Sequence, residues 1–234
     1  MEHIVVDPQS PLPQGLDQIT FSGHFIPVST ASHPRRMHNG TSVVDTSSSA
    51  ISSGVWSGGE LSFPVNLRIA GRHSPGLFIG QSYMIEGDIT GANFLHVPHL
   101  TFITGKERNS NVRAGERARI QVRGVGKIEE TKRHPIDNEH ADPLLEVIVH
   151  HRDERAIGGY VCARCLLGWT FGPVDPTMHF FNGSRIFYDG ILDGFDANSG
   201  KLLVEVTHVT VNFVAGLIED DQSSIEELLD ALDF

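Results

Sequence analysis

Cysteine is scarce in this sequence of 234 residues, and both cysteines, Cys162 and Cys165, lie in one short motif. Two thiols cannot form the disulfide framework on which many small secreted domains depend. The start, MEHIVVDPQSPLPQG, has neither the basic nor the apolar segment of a secretory signal. No apolar run approaches the length of a membrane span. We therefore expect an intracellular protein, cytoplasmic or nuclear, that is neither secreted nor associated with a membrane.

Charged residues and helical patterns are also few. Charged residues make up 20% of the chain, against about 25% in an average globular protein, and Gly outnumbers Pro by 24 to 12. Only the C-terminus has a convincing helical pattern. We predict an all-β fold, a barrel or sandwich of about ten strands with a short C-terminal amphipathic helix. The predicted parts are a leader (1–18), an all-β domain (19–216) and an acidic tail helix (217–234). An alternative divides the all-β domain into two packed subdomains with a boundary near 105–115.

The predicted strands are runs of β-forming residues bounded by Gly or by polar turn residues. Residues 29–60 are dominated by Ser, Thr and Gly, and they predict a loop with at most one short strand around Val43 and Val44. The segment DANSG, residues 196–200, is a strong hairpin signal between the last two runs. The runs are QITFSGHFIPV, LSFPVNLRIAG, QSYMIEGDITG, NFLHVPHLTFITG, ERARIQVRGVGKIEE, PLLEVIVHH, YVCARCLLGWTF, SRIFYDGILDGF and KLLVEVTHVTVNF.

Two local details indicate strongly coiled strands. The apolar residues of the last run change from even to odd positions near Thr207 and His208, which predicts a β-bulge. Glycines inside strand patterns favour sharp bending or the close approach of a neighbour. These glycines are Gly23, Gly87, Gly124, Gly126 and Gly190. A weak internal similarity between residues 87–91 and 190–194 raises the hypothesis of two repeats.

Two sets of side chains could bind a metal, and we interpret both as structural. The two thiols of C162-A-R-C165 have a zinc-ligand spacing, but residues i and i+3 of a straight strand point to opposite faces. Several His and acidic residues near the chain centre match no recognised metal motif, and they predict polar loop residues. We expect no metal, no cofactor and no catalytic residue. The central set comprises His134, Asp137, Glu139 and His140 of the polar segment, with His150 and His151 on the following predicted strand.

Basic residues are concentrated between residues 106 and 133, where nine Lys or Arg accompany four Glu in a chain of net charge −11. In ERARIQVRG, Ile120 and Val122 alternate with charged and polar residues, so the cations line one face of a strand. Such a row can bind phosphates or carboxylates, or it can protect a sheet edge from pairing. The predicted anion-binding residues are Arg117, Arg119, Arg123 and Lys127.

The C-terminal stretch LIEDDQSSIEELLDALDF holds seven carboxylates and no cation. Ser223 or Ser224 can cap a helix of about three turns, which is too short to be stable unless it docks. It could dock on its own domain, in a partner's groove or on the arginine row. The predicted docking residues are Ile225, Leu228, Leu229, Leu232 and Phe234. The acidic ending at Phe234 resembles the tails of some phage and bacterial single-stranded DNA-binding proteins, and this resemblance implies oligonucleotide-binding barrels.

Three functions are compatible with these features. The first is a non-catalytic binding or assembly protein that uses the arginine-lined surface and docks a protein partner or a second copy through the tail. The second is a single-stranded nucleic-acid-binding protein with oligonucleotide-binding-like barrels. The third is an enzyme with a small-molecule site inside a β-barrel. The first is our principal prediction, and nucleic acid is the alternative partner.

Overall fold

The computed structural model describes most of the chain between residues 17 and 212. The described ranges are 17–36, 41–52, 54–55, 59, 61–71, 76–92, 97–103, 107–109, 119–134, 144–156, 159–167, 180–196 and 198–212. Most of the predicted leader and the whole predicted tail helix lie outside them. Of the predicted boundary region, 105–115, the structure describes residues 107–109.

The described residues form twelve strands and no helix, which confirms the all-β prediction. Ten of these strands have six or more residues, and nine of the ten correspond to the predicted runs. In the described ranges, no helix is long and apolar enough to span a membrane. The strands are β1 (Ile19–Phe25), β2 (Arg35–Arg36), β3 (Ser42–Ile51), β4 (Ser62–Gly71), β5 (Tyr83–Ala92), β6 (Pro98–Ile103), β7 (Arg108–Asn109), β8 (Gln121–His134), β9 (Leu144–Arg152), β10 (Tyr160–Leu167), β11 (Arg185–Asp196) and β12 (Lys201–Asn212).

The last five strands close into a barrel, which we call the C-terminal barrel. Its strand order is β8-β9-β10-β12-β11, and β11 pairs back to β8. All pairs are antiparallel except β10 with β12. Most apolar side chains of these strands belong to the buried core, together with the ring of Tyr188. Because each strand alternates, the intervening side chains form the outer surface of the barrel.

The first strands repeat the same pairing order, and we call them the N-terminal set. Read from β3, the order is β3-β4-β6-β5-β1, which corresponds to β9-β10-β12-β11-β8 in the C-terminal barrel. Strands β4 and β6 are parallel, as β10 and β12 are. After β1, the backbone N–H of Val28 donates to Ser47 O at 2.9 Å on β3, and the N–H of Ser32 donates to Asp45 O at 2.8 Å. The internally similar segments 87–91 and 190–194 therefore lie on β5 and β11, which hold the same place in the two orders.

The N-terminal set and the C-terminal barrel are joined by backbone pairing. Strand β1 pairs with β5 on one side and with β8 on the other, in the register Thr20 opposite Arg123 and Ser22 opposite Gln121. All twelve strands consequently belong to one continuous sheet.

The predicted bulge and the predicted close approaches are confirmed. Asp189 pairs with His208 and Gly190 pairs with Val206, so Thr207 is the additional residue of a β-bulge. A Cβ atom on Gly87 would lie 2.1 Å from Thr101 O, and one on Gly124 would lie 2.3 Å from Tyr188 Cζ. Real Cβ contacts are essentially never this short, so glycine lets the neighbouring strand or ring approach.

The prediction of a loop over residues 29–60 is wrong for β3. This Ser- and Thr-rich segment is a ten-residue strand that pairs with β4 along its whole length. Its hydroxyl groups are compatible with burial because some of them find partners: Ser48 Oγ donates to Ile26 O at 2.9 Å. Pairing with β4 and these contacts outweigh the turn preference of the composition.

Candidate nucleic-acid interface

The outer surface of the C-terminal barrel presents an aromatic pair. Val147 and Val149 of β9 point into the barrel, so His150 points out and stacks on Tyr160 of β10. The two ring centroids are 4.9 Å apart with an angle of 15° between the ring planes. Tyr160 is 50% exposed. A half-exposed ring that is already held by a second ring is a suitable platform for stacking a nucleic-acid base.

Two cations flank this aromatic pair, which also contacts the carboxylate of Glu129 through His150. Arg152 lies opposite Tyr160 in the β9–β10 ladder, and Lys127 lies opposite His150 in the β8–β9 ladder. The side chain of Arg152 is 76% exposed, and its ion pair with Glu154 has an N–O distance of 3.7 Å. Exposed ion pairs of this kind contribute at most about 1 kcal/mol, so a phosphate could replace Glu154 at little cost. We call Lys127, His150, Arg152 and Tyr160 the barrel face.

The predicted arginine row lies on β8 and on the residues just before it. Ile120 and Val122 are buried, whereas Arg119, Arg123 and Lys127 are exposed, as predicted. Arg117 lies outside the described residues. Arg123 is not a bare cation: its Nε donates to Asp189 Oδ1 at 2.7 Å, and its guanidinium carbon lies 5.6 Å from the centre of the Phe187 ring.

A groove of about 800 Å³ lies where the N-terminal set meets the C-terminal barrel. Its floor follows the registers across β5, β1, β8 and β11, which align Asp88, Thr20, Arg123 and Asp189. At one side, Arg155 Nη1 donates to Asp88 Oδ2 at 3.0 Å. The groove therefore contains charges of both signs, each cation beside a carboxylate.

Strand β8 connects the groove to the barrel face. Arg123 lines the groove and Lys127 belongs to the barrel face. Lys127 is four positions after Arg123 on the strand, which corresponds to a rise of about 13 Å at the usual 3.3 Å per residue. An extended polyanion could contact both regions along this strand.

The N-terminal set, with the adjoining β2, contains a compact polar cluster on β2, β3, β4 and β6. Arg68 donates from Nε and Nη2 to Asp45 at 2.8 and 3.1 Å, and Arg35 also pairs with Asp45. Asn66 Nδ2 lies 2.7 Å from Nδ1 of the buried His99. Burial and the neighbouring charge of Arg68 lower the pKa of His99 to about 4. Every charge here has a partner in the cluster, so we assign it to stability.

The two cysteines lie on opposite faces of β10, as predicted from their spacing. Cys165 is buried inside the barrel and Cys162 points outward and is half-buried. Burial, and then the charge of Glu129, raise the pKa of the Cys162 thiol to about 11. Burial raises the pKa of Cys165 as well. These thiols are therefore protonated and weakly nucleophilic at neutral pH in the metal-free chain.

The remaining candidate residues from the sequence lie on β8 or β9, or outside the described residues. His150 and His151 are adjacent and so point to opposite sides of β9, His151 into the barrel, where its Nε2 lies 3.0 Å from the Tyr188 hydroxyl. Asp137, Glu139 and His140 lie outside the described residues, as do all five predicted docking residues of the tail. Among the described residues, buried side chains fill the interior of the C-terminal barrel.

Of the barrel face, only Lys127 was predicted from the sequence, as an anion-binding residue. Arg152 lies one residue beyond the predicted run PLLEVIVHH, and its position beside Tyr160 depends on which strands pair and in what register. A visible signal was the alternation in VIVHHR, which places His150 and Arg152 on the face opposite the valines.

No protein-family model matches the chain, and no curated protein sequence matches it. Among solved structures, wild-type single-stranded DNA binding protein from Thermus aquaticus is similar in fold, with a TM-score of 0.54 at 13% identity over 83% of this chain and 92% of that chain. A deletion mutant of the same protein gives a TM-score of 0.55 at 14% identity, over 85% of this chain and 95% of that chain. Five-stranded closed barrels of this kind are the architecture of oligonucleotide-binding folds.

Proposed function

We propose that this chain binds single-stranded nucleic acid, single-stranded DNA in the first instance, through the barrel face and the adjoining groove. The observation that carries the proposal is the stacked pair of His150 and half-exposed Tyr160 between two exposed cations on the outside of a five-stranded barrel. The similar fold of a single-stranded DNA binding protein supports it. Our principal prediction from sequence, a binding or assembly protein that docks a partner through its tail, stays a prediction, because the tail lies outside the described residues.

The mechanism follows from two kinds of contact. Bases of a single strand are unpaired, so one base can stack on Tyr160, and such stacking tolerates any sequence. Phosphates on either side of that base can approach Arg152 and Lys127, releasing bound counterions. In a duplex the bases are already stacked on each other, which prevents contact with Tyr160. The proposed site therefore prefers a single strand to a duplex.

The direct test is the affinity for a fluorescent oligo(dT) strand, measured by fluorescence anisotropy between about 50 mM and about 200 mM salt. The variant Tyr160→Ala removes the stacking platform and should weaken binding by about 1–3 kcal/mol, about 5- to 150-fold. The variant Arg152→Gln should lower the slope of log affinity against log salt by about 0.7.

The matched control is Phe78→Ala, because Phe78 is another exposed aromatic residue, 68% accessible, in the segment between β4 and β5 of the N-terminal set. This variant should bind as the wild type does. The proposal is wrong if the wild type does not bind the strand at low salt, if duplex binds equally well, or if Tyr160→Ala and Phe78→Ala have equal effects.

A further inference from the structure

A β-bulge on the outer surface of the C-terminal barrel places an acidic side chain beside His150. Ile128 pairs with Val149 and Glu130 pairs with Ile148, so Glu129 is the additional residue on β8. The Glu129 carboxylate turns towards β9, and its Oε2 lies 2.5 Å from Nε2 of His150. Bulges commonly redirect one side chain in this way next to functional sites.

A thiol completes this arrangement from the third strand. Cys162 of β10 lies opposite His150 in the β9–β10 ladder. The ligand atoms of Glu129, His150 and Cys162 all lie within 4.8 Å of one another. Three neighbouring strands thus each contribute one ligand-bearing side chain to the same point on the barrel surface.

We propose that Glu129, His150 and Cys162 form a binding site for a soft divalent cation of the Zn²⁺ type. Thiolate and imidazole ligands together select Zn²⁺ over Mg²⁺ or Ca²⁺, which require oxygen ligands. Three protein ligands leave a fourth tetrahedral position for water or another ligand. This inference does not depend on the proposed binding of nucleic acid.

The geometry requires only a small adjustment. Ligand atoms about 2.0–2.2 Å from a tetrahedral zinc ion lie about 3.3–3.6 Å apart, whereas His150 Nε2 and Glu129 Oε2 are 2.5 Å apart. The Glu129 side chain is 50% exposed, so its carboxylate can withdraw by that amount. The His150 ring is held by its stack on Tyr160, which fixes the direction of its nitrogen.

The charges nearby are consistent with a cation. Without a metal, Glu129 and the half-buried Cys162 would place two negative charges within 4.8 Å of each other if the thiol ionised. A divalent cation would neutralise both the carboxylate and the thiolate. Lys201 also acts on Cys162, so the site is not uniformly acidic.

The test uses Co²⁺ as a spectroscopic probe on the whole chain under reducing conditions. A Co²⁺–thiolate bond gives an ultraviolet charge-transfer band that His or carboxylate ligands alone do not give. The chain has only two cysteines, so the band must come from one of them. We expect a saturable band in the wild type that Zn²⁺ removes, no band in Cys162→Ser, and at least about tenfold weaker binding in Glu129→Gln.

The matched control is Cys165→Ala, which removes the core thiol and should retain the band, with circular dichroism showing that the variant is folded. A second measurement needs no variant: Zn²⁺ should slow the alkylation of Cys162 by iodoacetamide, read by mass spectrometry. The proposal is overturned if the wild type gives no thiolate band, if the band survives in Cys162→Ser, or if Zn²⁺ leaves the alkylation rate unchanged.

Discussion

Mild acid should destabilise this fold through one histidine inside the C-terminal barrel. His151 is 0% exposed. Its Nδ1 lies 3.1 Å from Val161 O, a carbonyl that can only accept, so Nδ1 carries the hydrogen. Nε2 is then the acceptor for the Tyr188 hydroxyl at 3.0 Å. Protonation would place a charge in the apolar core and remove this acceptor, and burial accordingly lowers the pKa of His151 to about 4.

The size of the effect follows from the difference between the folded and unfolded pKa. The unfolded chain takes up a proton near its ordinary pKa of about 6.5, whereas the folded chain does so only near pH 4. The contribution of His151 to stability is therefore complete above the unfolded pKa and is lost as the pH falls towards the folded one. Between about pH 7.5 and about pH 5 the loss is about 2 kcal/mol. His99, with a pKa also lowered to about 4, should add a similar loss.

The assay is urea denaturation at these two pH values, comparing the wild type with His151→Gln and His99→Gln. Each variant can lower stability at both pH values. The difference in the free energy of unfolding between the two pH values should nevertheless be about 2 kcal/mol smaller in each variant than in the wild type, because one histidine no longer titrates. Acidic residues titrate equally in all three chains and cancel in the comparison. If His151→Gln keeps the full pH dependence of the wild type, then His151 is not a neutral buried group and the reasoning is refuted.

Two further predictions concern packing and buried charge. Gly124→Ala should lower the free energy of unfolding by about 1–3 kcal/mol or more, because its Cβ would lie 2.3 Å from the Tyr188 ring. The control is Gly59→Ala, whose Cβ would meet nothing within 4 Å, and its free energy of unfolding should differ from that of the wild type by no more than about 0.5 kcal/mol. Arg164→Met should cost about 3–5 kcal/mol, since Arg164 Nε donates at 2.9 Å to the carboxylate of Glu146, which is 2% exposed. Urea denaturation measures the free energy of unfolding of all these variants. Adding Glu146→Gln to Arg164→Met should recover part of the lost stability, because the buried carboxylate is then neutral. If the double variant is no more stable than Arg164→Met, the unpaired Glu146 carboxylate is not the cause of the loss.

The sequence predicted features that depend on local alternation. The opposite faces of Cys162 and Cys165, the burial of Ile120 and Val122 beside exposed arginines, and the bulge at Thr207 all follow from a side-chain period of two. No partner strand needs to be known for any of them.

The sequence did not predict features that depend on pairing between distant strands. Strand β3 forms because β4 pairs with all ten of its residues. Arg123 of the arginine row pairs with Asp189, which lies 66 positions further along the chain. The sequence therefore showed the cation but not the carboxylate beside it. The stack of His150 on Tyr160 and the approach of Glu129 depend on the register of β8, β9 and β10. A one-residue slip would reverse each of these faces.

The double pairing of β1 has a consequence for synthesis of the chain on the ribosome. Ile19 pairs with Gly124, a difference of 124 minus 19, or 105 positions. One edge of β1 therefore emerges long before its partner in β8 exists, and an open edge can pair with other nascent chains. The ribosome adds about 5–20 residues per second, so this exposure lasts for about 5–20 s. Nascent chains that stall before β8 should be a preferred substrate for chaperones.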